Sequence, residues 1–129
     1  MARPVRFFEP LWFDRHFKKS LKSLSSPEQQ RRLEEIEKLI RALAVCRHPC
    51  TDPLLASWRP SPYNVSRVTG LFEYRCRYPL RIIARWIEPD PVDTPEGQVL
   101  MVAATLAHDH DRLKQLIAGR RGDLEGDDQ

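Results

Sequence analysis

The order of apolar and polar residues divides the chain into segments of different period. Val5 to Trp12 is apolar and aromatic, broken by Glu9 and Pro10, and part of it reads as a strand. Pro10 assigns that strand to a sheet edge, because proline has no N–H to give to a ladder. Phe13, Phe17, Leu21 and Leu24 then recur at helical spacing with Arg15, Lys18, Lys19 and Lys22 between them. That pattern predicts a short amphipathic helix with a basic outer face. Ser26-Pro27-Glu28-Gln29 predicts the start of a second helix, with Ser26 as N-cap, Pro27 at the first helical position and Gln29 at the third. Leu33, Ile36, Leu39, Ile40 and Leu43 are expected on its inner face, and Glu34, Glu35, Lys38 and Arg41 outside. Pro49 bars its continuation. The two helices are expected to form an antiparallel hairpin.

Cys46 to Pro62 carries Pro49, Pro53, Pro60 and Pro62 and reads as a loop. Tyr63 to Thr69 adds a short extended piece. The period then changes to two. Phe72, Tyr74, Cys76 and Tyr78 alternate with Glu73, Arg75 and Arg77, and Leu80, Ile82, Ala84 and Trp86 alternate with Arg81, Ile83, Arg85 and Ile87. Tyr78-Pro79 separates these runs, which predicts a tight hairpin. Pro89 to Gly97 is a turn. Val99 to Leu106 is the most apolar run and reads as a central strand buried on both faces. Asp109 or Asp111 can cap a last helix containing Leu113, Leu116 and Ile117. The predicted fold is α+β: an N-terminal strand, a helical hairpin, a three-stranded antiparallel meander forming a curved sheet, and a short C-terminal helix. Residues 1–118 are expected to form a single domain, and 119–129 a polar mobile tail.

Composition narrows the class. The chain has 129 residues, 41% hydrophobic and 30% charged, which suits one globular domain and excludes a disordered chain. No apolar stretch approaches a membrane span and no cleavable signal pattern opens the sequence, so a cytoplasmic location is expected. Three cysteines do not make a disulfide framework. The net charge is +3; the tail, with Arg120 and Arg121 against Asp123, Glu125, Asp127 and Asp128, is −2, which leaves the remaining 118 residues at +5. A basic body suits a polyanion or an acidic partner.

The hairpin carries the chemistry. Alternation places Arg75 with Arg77, and Arg81 with Arg85, on single strand faces. If register aligns those faces, the guanidiniums form a cluster that binds phosphate and stabilises charge on a scissile phosphate. Tyr78 and Trp86 are candidates for stacking on bases. The plainer alternative is a solvated sheet face with arginines paired to Glu73 or Glu88. His108-Asp109-His110-Asp111 follows a strand end, where two histidines, or a histidine with Asp111, can divide acid and base duties. Its alternative is an aspartate cap beside solvated histidines. Cys46-Arg47-His48-Pro49-Cys50 lacks the spacing and the fourth ligand of a zinc site and reads as thiols at a helix end. Arg31 and Arg32, with the lysines of the first helix, read as a solvated helical face.

Tyr74-Arg75-Cys76-Arg77, a tight turn, and Leu80-Arg81-Ile82-Ile83 together resemble the hairpin of the RelE/ParE toxin superfamily. The likeness extends in element order over residues 5–117. It implies a toxin of a type II toxin–antitoxin system, neutralised by a cognate antitoxin protein. RelE-like members cut mRNA on the ribosome without a metal or other cofactor. On that resemblance Arg75 and Arg77 bind phosphate and share in acid–base chemistry, Arg81 contacts the scissile phosphate, and His108 or His110 moves protons. Arg85, Arg67 and Lys114 complete the expected phosphate-binding set. The tyrosine found in many members is not matched; Leu113 and Gln115 stand near its place. The superfamily's other branch inhibits DNA gyrase without cutting RNA, and an inactive antitoxin-binding relic is a further alternative. A general nucleic-acid-binding module would instead show only salt-sensitive affinity.

Overall fold

The computed structural model describes residues 3–7, 21, 22, 24–65, 68–76, 80–92, 95–106 and 110–119, the side chains of 110–113 and 116 excepted. Among these, β1 (Val5–Phe7), β2 (Ser61–Pro62), β3 (Leu71–Arg75), β4 (Arg81–Ile87) and β5 (Gln98–Thr105) form one sheet in the order β1-β5-β4-β3-β2. β1 runs parallel to β5, and every other neighbouring pair is antiparallel. The main helix is α1 (Ser26–Val45), and α2 (His110–Gly119) follows the last strand. The fold is α+β, with a larger sheet than the pattern implied.

Both faces of this sheet are covered, which explains the unbroken apolar run of β5. On one face Ile36, Leu39 and Leu43 of α1 pack against Tyr74, Ile82, Ala84, Val99 and Met101. On the other, Ile117 of α2 joins Tyr63, Leu71, Ile83, Ile87, Leu100 and Val102. A bulge supplies the second face with an extra residue. Ile83 pairs with Ala103 but Ala84 pairs with Met101, so Val102 stands between.

The start of α1 differs from the expected one by a residue. Ser25, not Ser26, is the N-cap; its hydroxyl accepts from the Glu28 N–H at 3.4 Å, and the Glu28 carboxylate accepts from the Ser25 N–H at 3.3 Å. A carboxylate at that position also meets the positive end of the helix dipole, which glutamine cannot. Gln29 donates to the Leu24 carbonyl instead. The buried stripe is Arg32, Ile36, Leu39, Ala42 and Leu43, so Leu33 lies a step around the helix and is 40% exposed. Arg32 is therefore not on the solvated face; its Nη1 donates to the Glu28 carbonyl at 3.1 Å. The preceding helix expected over Phe13 to Leu24 lies outside the described residues except for Leu21, Lys22 and Leu24, and Leu21 is in the core beneath α1.

The stretch from Cys46 to Pro62 is more ordered than a loop. Asp52 caps a 3-10 helix (Pro53–Trp58) that buries Leu55, and β2 pairs with β3 directly after it. The extended piece expected from Tyr63 to Thr69 begins earlier, at Ser61, and closes on itself through a Val65–Val68 bridge. Gly70, at φ +76°, then opens β3; a Cβ there would stand 2.5 Å from the Trp86 carbonyl oxygen. The N-terminus is fastened at Arg3, whose Nη1 donates to the Leu43 carbonyl at 2.6 Å and whose guanidinium lies 4.2 Å from the Trp86 ring. Residues 120–129, where a tail was expected, lie outside the described residues. Among the described residues no helix is long and apolar enough to cross a membrane.

Candidate functional site

Register decides which arginines meet. Arg75 stands opposite Arg81, Glu73 opposite Ile83 on one side and Ser61 on the other, and Leu71 opposite Arg85. Opposed residues point to the same side of a sheet. Glu73, Arg75, Arg81 and Arg85 therefore share one face, the face that α2 also covers.

The cluster is not the solvated display that alternation suggested. Arg85 is 2% exposed, and its Nε donates to the Thr69 carbonyl at 3.0 Å. It ties β4 to the segment preceding β3. The Arg81 side chain is 11% exposed and the Arg75 side chain 49%. Both reach the same carboxylate oxygen: Glu73 Oε1 accepts from Arg75 Nε at 3.1 Å and from Arg81 Nη1 at 3.4 Å. Glu73 itself is 3% exposed. The pairing foreseen in the plainer alternative is thus present, but as a buried ion pair that opens to solvent at Arg75. A buried carboxylate held by guanidiniums is costly to remove from water and costly to strand, so the grouping is rigid in composition.

Tyr63 completes this face. It follows β2, its N–H donates to the Leu71 carbonyl at 2.9 Å, and its side chain packs beside Leu71 and Ile83. Burial, and then the negative charge of Glu73, push its ionisation up to about 12 despite the opposing charge of Arg81. Its hydroxyl remains protonated at neutral pH.

The other expected residues are placed as follows. Lys114 is exposed on α2. His110 is the first residue of α2, but its side chain is not among those described. His108, Arg77 and Arg67 lie outside the described residues, and so do Tyr78 and Pro79. β3 ends at Arg75, and the Cys76 N–H donates to the Leu80 carbonyl at 2.9 Å. Trp86 does not face the arginines; it lies on the α1 side, under Arg3.

The cysteine-rich segment is committed to structure. His48 Nδ1 accepts from the N–H groups of Cys50 and Thr51, both at 3.1 Å. Cys46 is buried and its thiol donates to the Leu43 carbonyl; Cys50 donates to the Pro60 carbonyl. The Pro49 carbonyl accepts from the Tyr74 hydroxyl at 2.7 Å. Burial pushes the Cys76 thiol up to about 12. Among the described residues no group of three or more histidine, cysteine or carboxylate side chains is placed to hold a metal ion.

Glu73 and Tyr63 are the residues that sequence reasoning did not assign to the site. Glu73 was legible, since it lies two residues before Arg75 and so on the same strand face. Tyr63 had no signal, because its approach depends on the pairing of a two-residue strand. No protein-family model matches this chain, and comparison with curated proteins and with solved structures gives no match.

Proposed function

We propose that this chain is a toxin of the RelE/ParE kind that cuts mRNA on the ribosome and is held in check by a cognate antitoxin protein. One observation carries the reading: two guanidiniums, from Arg75 and Arg81, converge on a single acceptor oxygen at a point that opens to solvent. The Glu73 carboxylate occupies that point. A phosphate oxygen is the same kind of acceptor, and arginine forks match it.

In this reading Arg75 captures a backbone phosphate from solvent and Arg81 stabilises the charge that grows on it. The RNA 2′-hydroxyl oxygen attacks phosphorus, and the bond to the leaving 5′-oxygen breaks. Glu73, released from its arginines, is suited to take the 2′-hydroxyl proton, and a histidine at neutral pH is suited to protonate the 5′-oxygen. The parts of His108, His110 and Arg77 rest on the resemblance, as do further phosphate contacts from Arg67 and Lys114. Arg85 leaves the set: its guanidinium serves the fold.

A second reading has its own support. Arg85 is wholly buried and Arg81 nearly so. A site whose guanidiniums are so committed suits a protein that binds without cutting RNA, as an inhibitor of DNA gyrase or an inactive antitoxin-binding relic. Induced expression in cells separates the two. The first reading expects growth arrest with truncated mRNA, relieved by Arg75→Ala and by Arg81→Ala. DNA breaks without mRNA cuts would instead support gyrase as target, and absence of any arrest would support the relic.

A further inference from the structure

We propose that Tyr63 is a positioning residue of the same site: its hydroxyl takes over the Glu73 carboxylate when a phosphate draws Arg75 and Arg81 away. The inference rests on the RNA-binding reading above and adds a moving part to it.

Tyr63 is 6% exposed, and its hydroxyl has no hydrogen-bond partner among the described residues. A buried hydroxyl in that condition is unfavourable and calls for an explanation. Its surroundings supply one. The ring lies on the Leu71–Glu73 face of the sheet, and both Glu73 and Arg81 act on the hydroxyl electrostatically. Its high ionisation range keeps it a donor at any pH where RNA is intact.

Phosphate binding creates the need for such a donor. In the free protein Glu73 Oε1 accepts from Arg75 and Arg81. Each N–H that turns toward a phosphate is withdrawn from the carboxylate. Glu73 is 3% exposed, so water does not readily replace what is withdrawn. A neutral hydroxyl that is already buried and has no described bond to give up replaces it at least cost. Tyr63 thus acts through Glu73 rather than on RNA.

The test uses the purified full chain, a fluorescein-labelled single-stranded RNA oligonucleotide, and thermal melting. Tyr63→Phe removes only the hydroxyl. It is expected to leave the melting temperature of the free protein unchanged or raised, and to weaken RNA binding by roughly tenfold, the worth of one hydrogen bond to a charged group. In a Glu73→Gln background there is no charge to receive, so adding Tyr63→Phe should change affinity by less than about twofold. Equal affinity for wild type and Tyr63→Phe overturns the inference, as does an equal loss in both backgrounds. A clear fall in melting temperature overturns it too, since the hydroxyl would then have an internal partner. Should Glu73→Gln not fold, the single variant's affinity and melting together decide. Arg75→Ala separates this from the parent reading. If it abolishes RNA binding while Tyr63→Phe does not weaken it, the phosphate grip stands and Tyr63 has no part in it. If wild type shows no Arg75-dependent RNA binding, both fail.

Discussion

Glu73 is the residue on which the site turns. It is an acidic side chain 3% exposed, with one oxygen shared by Arg75 and Arg81. Arg75 is half-exposed, and its share of the interaction is weakened by solvent. Arg81 is not, and a buried guanidinium deprived of its carboxylate is a large penalty. Glu73→Ala is expected to cost about 3 kcal/mol of folding stability, as breaking a buried pair from one side does. Glu73→Gln keeps an acceptor oxygen and should cost less. Urea unfolding of the three proteins measures both, and a Glu73→Ala variant as stable as wild type would mean that the pair is not buried as described.

At the scale of elements, the helix start is the simplest thing to check. Ser25→Ala removes the hydroxyl that accepts from Glu28 and should cost about 1 kcal/mol, whereas Ser26→Ala, inside the first turn, should cost almost nothing. Chemical denaturation of the two variants distinguishes this cap from the neighbouring one that the sequence suggests equally well. Two adjacent serines followed by adjacent Glu28 and Gln29 make both frames readable, and only the carboxylate's advantage at the dipole selects one. The same division runs through the rest of the chain. Strands β3 and β4 were legible because Phe72 and Tyr74, and Ile82 and Ala84, recur at the spacing of a pleat, and β5 because its apolar run from Val99 is unbroken. The short β2 and the 3-10 helix were not, because their order comes from Asp52 capping and from pairing with β3, which leave no periodic trace. Of the site, alternation put Arg81 with Arg85 on one strand face and left it to register whether Arg75 joins them, which the β3–β4 pairing brings about. It did not reveal that α2 and the segment around Tyr63 cover their face, because cover depends on contacts distant in sequence. That cover turns Arg85 from an expected phosphate ligand into a tie to Thr69.

For the whole molecule, buried protonated groups set an upper pH limit. Burial pushes Cys76 from 9.0 up to about 12 and Tyr63 from 10.0 up to about 12, and it raises Cys46 and Tyr74 as well. All four hold their protons more tightly when folded. The stability linked to them is complete below pH 9, where neither state ionises them, and is lost as pH rises toward 12, because the unfolded chain releases protons first. The melting temperature should therefore gain no pH dependence from these groups below about pH 9 and fall steadily above it. Native Cys76 should also resist alkylation at pH 8 and react only on unfolding, since the thiolate is the reactive form. A thiol titre that includes Cys76 in the folded protein would contradict this.

The central claim concerns the convergence of Arg75 and Arg81, and one measurement addresses it most directly. Purified wild-type protein and Arg75→Ala are each incubated with ribosomes engaged on a defined mRNA, and the RNA ends are mapped by primer extension. Arg75 is the accessible member of the grip, so its loss leaves the fold largely intact, which a melting curve verifies. The account predicts cuts aligned with codons in the presence of wild type, and their loss with a folded Arg75→Ala. Uncut mRNA with wild type, or equal cutting by the two proteins, would contradict it.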